Sequence, residues 1–373
     1  MVQRRPVVRR PPGRRARILA VAAARFHRDG YHRVSMAEIA AEVGITAPAL
    51  YRHFRNKSEL LLRAVESGLH AVCAATASGR PGELAELALE RREFGTLWQR
   101  DARLLPPGQR AVLRRQLRAA VRESAGEEGE EGESARWAVL SAYGSLSHHG
   151  VVLPRRRYLE LLGGMRERLL AVREFGASVE PGPPGSSGPP GSSGPPGRPV
   201  PEGVGRRDAL VAAATRLFHR RGFDNVSMEQ LGAAVGIAGP SVYKHFGTKS
   251  ALLAAVLDRG REQLRREVLP VLAAGPAPAV EAFAAFAWRE RDYLGVMLSE
   301  TERLAPGERR VAVDFRRAFL RAWVEHTSMP NEPSAEARVR VHAMIAVAID
   351  TARSGAGTPA AVAAYAAAAL GGG

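Results

Sequence analysis

Cysteine is almost absent: Cys73 stands alone, which excludes an internal disulfide and, by itself, a thiolate metal site. Lysine is nearly missing as well. Lys57, Lys244 and Lys249 are the three among 54 basic residues, and the rest are arginine, a bias of composition that says little about mechanism. No apolar run approaches the roughly 18–20 residues of a membrane span. No HExxH, nucleophile elbow or phosphate-cradling glycine loop occurs, so the sequence offers no catalytic residue, metal site or cofactor. The adjacent pair His148 and His149 is no exception, because neighbours on a helix point about 100° apart. What is present is an excess of positive charge, 54 basic against 38 acidic residues in 373, with 45% hydrophobic residues to build cores. That balance fits a soluble protein of the cytoplasm with a polyanionic partner.

Arginines precede the apolar stretch from Ile18 to Ala24, which imitates a short secretory signal. The stretch ends at Arg25, and a near copy runs from Ala209 to Ala214, so it reads as a helix. The copy belongs to a long internal repeat. Phe26 pairs with Phe218, and the same offset of 192 pairs Gly30 with Gly222, Val34–Met36 with Val226–Met228, Val43–Ile45 with Val235–Ile237, and Lys57 with Lys249. A period this long marks a duplicated domain rather than a solenoid. Between the copies, residues 176–205 lack apolar periodicity and carry glycine at every third position from Gly182 to Gly197. Six triplets are few for collagen, and a polyproline II spacer is the expected form, with a reach on the order of 60–80 Å.

Outside the spacer, apolar residues recur at helical spacing and no strand alternation or hairpin signal is found, so the fold class is all-α. In the first copy Ser35 and Glu38 form a capping box, and a short helix carries Ile39, Ala40 and Val43 on one face. Gly44 supplies a left-handed turn. Thr46 caps a second helix expected from Ala47 to His53, with Pro48 in its first turn. Leu50 and Phe54 face inward, which leaves Ala47, Ala49, Tyr51, Arg52 and His53 outward or partly so. Two helices joined this way form a helix-turn-helix whose second helix can enter a major groove.

At these residues the chain resembles the DNA-binding domain of TetR-type (tetracycline-repressor) regulators, over Arg14 to about Leu69 and again in the second copy. The resemblance implies two tandem units, each a helix-turn-helix three-helix domain followed by a helical region for ligand binding and dimerisation. The expected division is an arginine-rich arm (1–13), a first DNA-binding domain (14–69), a first regulatory region (70–175), the linker (176–205), a second DNA-binding domain (206–260) and a second regulatory region (261–373). It implies double-stranded operator DNA and a small-molecule effector as partners, and no membrane. The DNA-facing set carried over is Ser35, Thr46, Ala47, Pro48, Ala49, Tyr51, Arg52, His53 and Lys57. Its counterpart is Ser227, Gly239, Pro240, Ser241, Tyr243, Lys244, His245 and Lys249, with Lys57 and Lys249 expected on phosphates. Arg52 or Lys244 can donate to guanine and Ala49 can touch a thymine methyl. The histidines have a structural alternative, packing against the following helix.

The copies differ where it matters: Thr46 becomes Ala238, which removes a cap, Ala49 becomes Ser241, and Arg52 becomes Lys244. The arm holds Arg4, Arg5, Arg9 and Arg10, continued by Arg14 and Arg15, and suits a minor groove or phosphates. Apolar helices are expected at about 134–149, 155–175, 334–353 and 358–370. In the family the last two helices of each protomer form a four-helix interface, so this chain can form an intramolecular pseudo-dimer, or like halves of two chains can pair. Phe94, Trp98, Trp137, Tyr143, Phe286, Trp288, Tyr293 and Met297 are candidate pocket residues, with plain core packing as the alternative for each. The function implied is a ligand-released transcriptional repressor. Its alternative is a regulator with one or both readers inactive, acting as a ligand-binding or protein-interaction module.

Overall fold

The structure, a computed structural model, describes residues 13–80, 82–123, 132–173, 205–355 and 358–371; the linker up to residue 204, most of the arm and most of the acidic loop 127–133 fall outside them. The described residues are helical, with no strand among them. The first unit comprises α1 (Arg14–Asp29), α2 (Met36–Val43), α3 (Ala47–Tyr51), α4 (Lys57–Ala77), α5 (Glu83–Glu90), α6 (Glu93–Thr96), α7 (Pro107–Glu123), α8 (Glu133–Gly144) and α9 (Arg155–Leu170). The second comprises α10 (Arg206–Arg221), α11 (Met228–Ala233), α12 (Gly239–Tyr243), α13 (Lys249–Glu267), α14 (Pro276–Arg289), α15 (Arg291–Glu300), α16 (Pro306–Thr327), α17 (Ser334–Ser354) and α18 (Pro359–Leu370).

In each unit a three-helix head packs on one long helix that continues into the body. Ile18, Ala22 and Phe26 of α1 meet Leu60, Leu61 and Val65 of α4 in a dry core, and Leu210, Ala214 and Phe218 of α10 meet Leu252, Leu253 and Leu257 of α13. The expected domain boundaries at 69/70 and 260/261 fall inside α4 and α13. Gly68 and Gly260 stand at these boundaries without breaking either helix, so reader and body share a continuous rod. By length and composition α4 is apolar enough to cross a membrane, contrary to the reading of the sequence. Its apolar face is the surface that packs against α1 and α7. Both long helices use a glycine for close approach: a Cβ at Gly68 would meet the Phe94 ring at 2.2 Å, and one at Gly260 would meet Tyr293 at 2.1 Å. The helix expected to reach residue 149 stops at Gly144 and tightens into a 3₁₀ turn, Ser145–His148.

The two units are joined by their last helices. α8 lies along α17 and α9 along α18, and the buried residues of α8 and α9, including Ala138, Ala142, Leu162 and Met165, are continuous with the core of the second unit. α17 is buried around most of its circumference, as its nearly unbroken apolar sequence from Ala343 to Ile349 requires. At the edges, Arg157 forms a bidentate pair with Glu336 at 2.7 and 2.8 Å, and Arg168 Nε donates to the Ala368 carbonyl at 2.9 Å.

The junction also buries histidines. The His149 and His342 rings lie 4.6 Å apart, one from each unit. Burial, with Arg92 and His148 adding, holds His149 down to about 4; burial, His149, Arg316 and Arg338 hold His342 down to about 3. His219 is likewise held to about 3 by burial and nearby arginines. Neutral histidines in the fold contribute stability that is complete above pH 6.5 and is lost as pH falls through the folded values. Asp350 acts the other way: burial pushes it up to about 6, so protonation favours the fold as pH drops. Burial lowers His27, His32 and His148 as well and raises Glu93, Asp101 and Asp292 along with Asp350; the four histidines held to about 3 or 4 carry the largest shifts, and the melting temperature is expected to fall from pH 6.5 to pH 4. A flat or rising profile in thermal denaturation would refute this balance.

Candidate nucleic-acid interface

The head of each unit is built by caps that the local sequence supplies. Ser35 Oγ accepts the Glu38 N–H at 3.2 Å and the Glu38 carboxylate accepts the Ser35 N–H at 2.7 Å; Ser227 and Gln230 repeat this box at 3.2 and 3.1 Å. The chain leaves α2 through Gly44 (φ 79°) and α11 through Gly236 (φ 72°), a left-handed conformation that a side chain would strain. Thr46 Oγ1 then accepts the Ala49 N–H at 3.4 Å at the start of α3, whereas Ala238 leaves the same position on α12 uncapped. Both second helices end at tyrosine, two residues short of the expected His53; the His53 and His245 N–H groups bond back to Leu50 and Val242 in a tighter turn.

Leu50, Phe54, Val242 and Phe246 are buried and anchor these helices. Tyr51 and Tyr243 project outward, 51% and 52% exposed, beside the exposed Arg52 and Lys244. Pro48 and Pro240 are exposed, and Ala47, Ala49, His53, Ser241 and His245 are half-buried at the rim of the same face. The caps Ser35, Thr46 and Ser227 are exposed as well. Each unit therefore presents a short helix with one aromatic and one cationic side chain at equivalent positions.

Three residues of the expected set are placed otherwise. Lys57 Nζ donates to the carbonyls of Tyr31 and Val34, each at 2.9 Å, and lies 4.5 Å from the Tyr31 ring centre. Lys249 does the same with Phe223 and Val226, at 2.8 and 2.9 Å. These ammonium groups tie the chain between the first two helices of each head to the long helix. Lys57→Met is accordingly expected to destabilise the first head by ~2 kcal/mol, since two buried acceptors lose a charged donor. The salt slope of DNA binding should stay unchanged, whereas a lost phosphate contact would lower it by about 1. Gly239 is buried: a Cβ there would stand 3.0 Å from Glu229 Cγ, so the residue serves the close crossing of α11 and α12.

The candidate pocket residues divide. Phe94, Trp98 and Tyr143 line one cleft of the first body, together with Gly68, Leu87 and Leu117, and the cleft leaves about 70 Å³ open. Trp137 lies in the adjacent core with its Nε1 donating to Glu133. Phe286 and Tyr293 are core residues, and Trp288 and Met297 pack half-buried against that core, so the packing alternative holds for these.

Residues that the motif search passed over connect body to head. Trp98 sits in a π-turn, Leu97–Asp101, a rare geometry in which side chains are displaced from helical register. Arg100, in the same turn, donates to the Phe26 carbonyl at 2.7 Å, at the end of α1. Arg103, just beyond, crosses to the other unit, pairing with the buried Glu300 at 2.9 Å and donating to the Ser299 carbonyl at 2.8 Å. Glu300 also accepts the Phe223 N–H at 3.2 Å, next to the second head. A loose echo of the body, Arg92 to Pro107 against Arg291 to Pro306, held the signal, for it aligns the two buried acids Asp101 and Glu300.

Capped helices, left-handed turns and outward cationic helices define each head as a helix-turn-helix domain of the DNA-binding kind. The family described as "Bacterial regulatory proteins, tetR family" matches at residues 18–64 and again at 210–256. The HTH-type transcriptional repressor BdcR of Escherichia coli is 39% identical over 61 residues, 16% of this chain and 29% of that protein. The HTH-type transcriptional activator FasR of Mycolicibacterium smegmatis is 42% identical over 53 residues, 14% and 24% of the two chains. The chain thus spans less than a third of these relatives' length. Among solved structures, the ketosteroid transcriptional regulator KstR2 of Mycobacterium tuberculosis covers 47% of this chain with 98% of its own, at 18% identity and a TM-score of 0.41. AibR, in complex with isovaleryl coenzyme A and operator DNA, covers 38% with 84% of its own, at 18% identity and a TM-score of 0.35. The chain carries, in tandem, two helix-turn-helix domains that match the DNA-binding domain of this family.

Proposed function

We propose that the chain is a ligand-released repressor in which both heads read one operator and the two bodies form a dimer within a single chain. The observation that carries this reading is the continuous core joining α8 and α9 to α17 and α18. The covalent linker raises the effective concentration of one body for the other, which favours pairing within the chain over pairing between chains. Since Ala49 and Arg52 face Ser241 and Lys244 at equivalent positions, the two half-sites should differ in sequence. A two-fold reader needs its recognition helices about one DNA turn apart, ~34–36 Å, so a small change of body geometry suffices to weaken binding.

The uncapped α12 favours a second reading, in which the second head does not read bases and the chain acts as a ligand-binding or interaction module. Light scattering of the complex formed on an operator fragment separates the two. One chain per duplex with both heads footprinted supports the single-chain reader; two chains per duplex, or a footprint from one head, supports the alternative.

A further inference from the structure

The offset of 192 that relates the two heads pairs His32 with Asp224, each in the segment between the first two helices of its head. One side chain joins them. Arg303 closes the 3₁₀ turn Thr301–Arg303 after α15, and a single nitrogen of its guanidinium, Nη2, meets both. It donates to the Asp224 carboxylate of the second head and lies 3.0 Å from His32 Nε2 of the first. Such a nitrogen carries two N–H groups, one for each head. Partial burial and Arg303 itself hold the His32 imidazole below its ordinary value, which keeps the ring neutral and able to accept. Beside it, Arg33 pairs with Glu302 of the same turn at 3.1 Å, and Arg309 steadies Glu302 at 3.3 Å. Glu300, immediately before the turn, is fastened to the first unit by Arg103. Aligned through Pro107–Gly108 and Pro306–Gly307, Arg303 corresponds to Leu104 and Glu302 to Arg103, so the first unit offers no counterpart.

We propose that the turn Thr301–Arg303 is a bracket that fixes the separation of the two heads, with Arg303 as the positioning residue between His32 and Asp224. This rests on the reading in which both heads meet one operator, and it names what holds them at the required distance. Heads free to drift by a few ångströms would accept half-sites at several separations, whereas a two-fold reader needs its recognition helices at one. The pairs of the bracket are partly exposed, so they add little to stability and their effect falls on geometry. The device also requires unlike units to pair. Two first units would meet with Leu104 in place of Arg303, and no bracket would form.

Double electron–electron resonance on the intact chain, free of DNA, reads the distance between the heads. Nitroxides are attached at Arg52→Cys and Lys244→Cys in a Cys73→Ser background; both labelled positions are exposed. The parent chain should give one narrow distance distribution. Arg303→Leu, which installs the residue of the first copy, and His32→Ala should each broaden it at least about twofold. The melting temperature should move by no more than roughly 2 °C in either variant, as partly exposed pairs imply. His32→Ala leaves Arg303 and Asp224 in place, so it separates a bridge between heads from a contact within the second unit. If Arg303→Leu proves less stable than this, His32→Ala alone decides. A broad distribution in the parent, no broadening in the variants, or broadening by Arg303→Leu without His32→Ala would overturn the proposal. Because no DNA is present, such a failure is distinct from a failure of operator binding.

Discussion

Arg52→Ala should weaken protection of one half of the operator and Lys244→Ala the other half, each by ~1–3 kcal/mol, the range of one well-made base contact. Both side chains are exposed at the end of their recognition helices. The losses should therefore appear in binding and not in stability. The heads share no contact through these residues, so the double variant should lose nearly the sum, on the order of thirtyfold to tens of thousandfold. Quantitative footprinting across each half-site reads this directly. If both variants impaired the same half, the two heads would not be reading one duplex side by side.

Glu300→Ala is expected to be the most damaging substitution for stability. The carboxylate is 2% exposed and holds together three things: Arg103 of the first unit, the Phe223 N–H of the second head, and α15 itself. Its removal leaves a partly buried guanidinium and a backbone donor without their acceptor, a loss of about 3–5 kcal/mol. Glu300→Gln keeps an oxygen for Phe223 and should cost less. Urea denaturation of the three proteins gives the order wild type, Gln, Ala. A loss below about 1 kcal/mol in the alanine variant would mean that the crossing from Arg103 does not hold the units together.

The heads were legible in the sequence because their chemistry is local. A capping serine, its partner three residues on, and a glycine at the left-handed turn all act within one turn of chain, and each stands where its spacing places it. The buried anchors Leu50 and Phe54 follow from the helical period in the same way. The internal bonds of Lys57 and Lys249 were not legible, because a long side chain finds its partner according to where another segment ends. The carbonyls of Tyr31 and Val34 come within reach only once α1 is docked on α4. The packing role of Gly239 was hidden for a related reason: its lack of a side chain serves a helix crossing, and the sequence displays the absence without the neighbour that demands it.

The bodies were harder. The copies keep an offset of 192 through the heads, but the bodies align with an additional shift, so equivalent positions such as Asp101 and Glu300 do not declare themselves. Of the aromatic residues there, the sequence could not separate those that line a cleft from those that fill a core. Glycines at 68 and 260 admit Phe94 and Tyr293 alike, yet one ring borders open space and the other is enclosed.

Selection of binding sites from a random DNA library with the intact protein tests the central claim most directly. A single-chain reader with Arg52 on one recognition helix and Lys244 on the other should enrich a site with two unequal halves at a fixed separation of about one helical turn. Enrichment of a perfect palindrome would contradict the account, since it would mean that like heads from two chains, and not the two heads of one, meet on the operator.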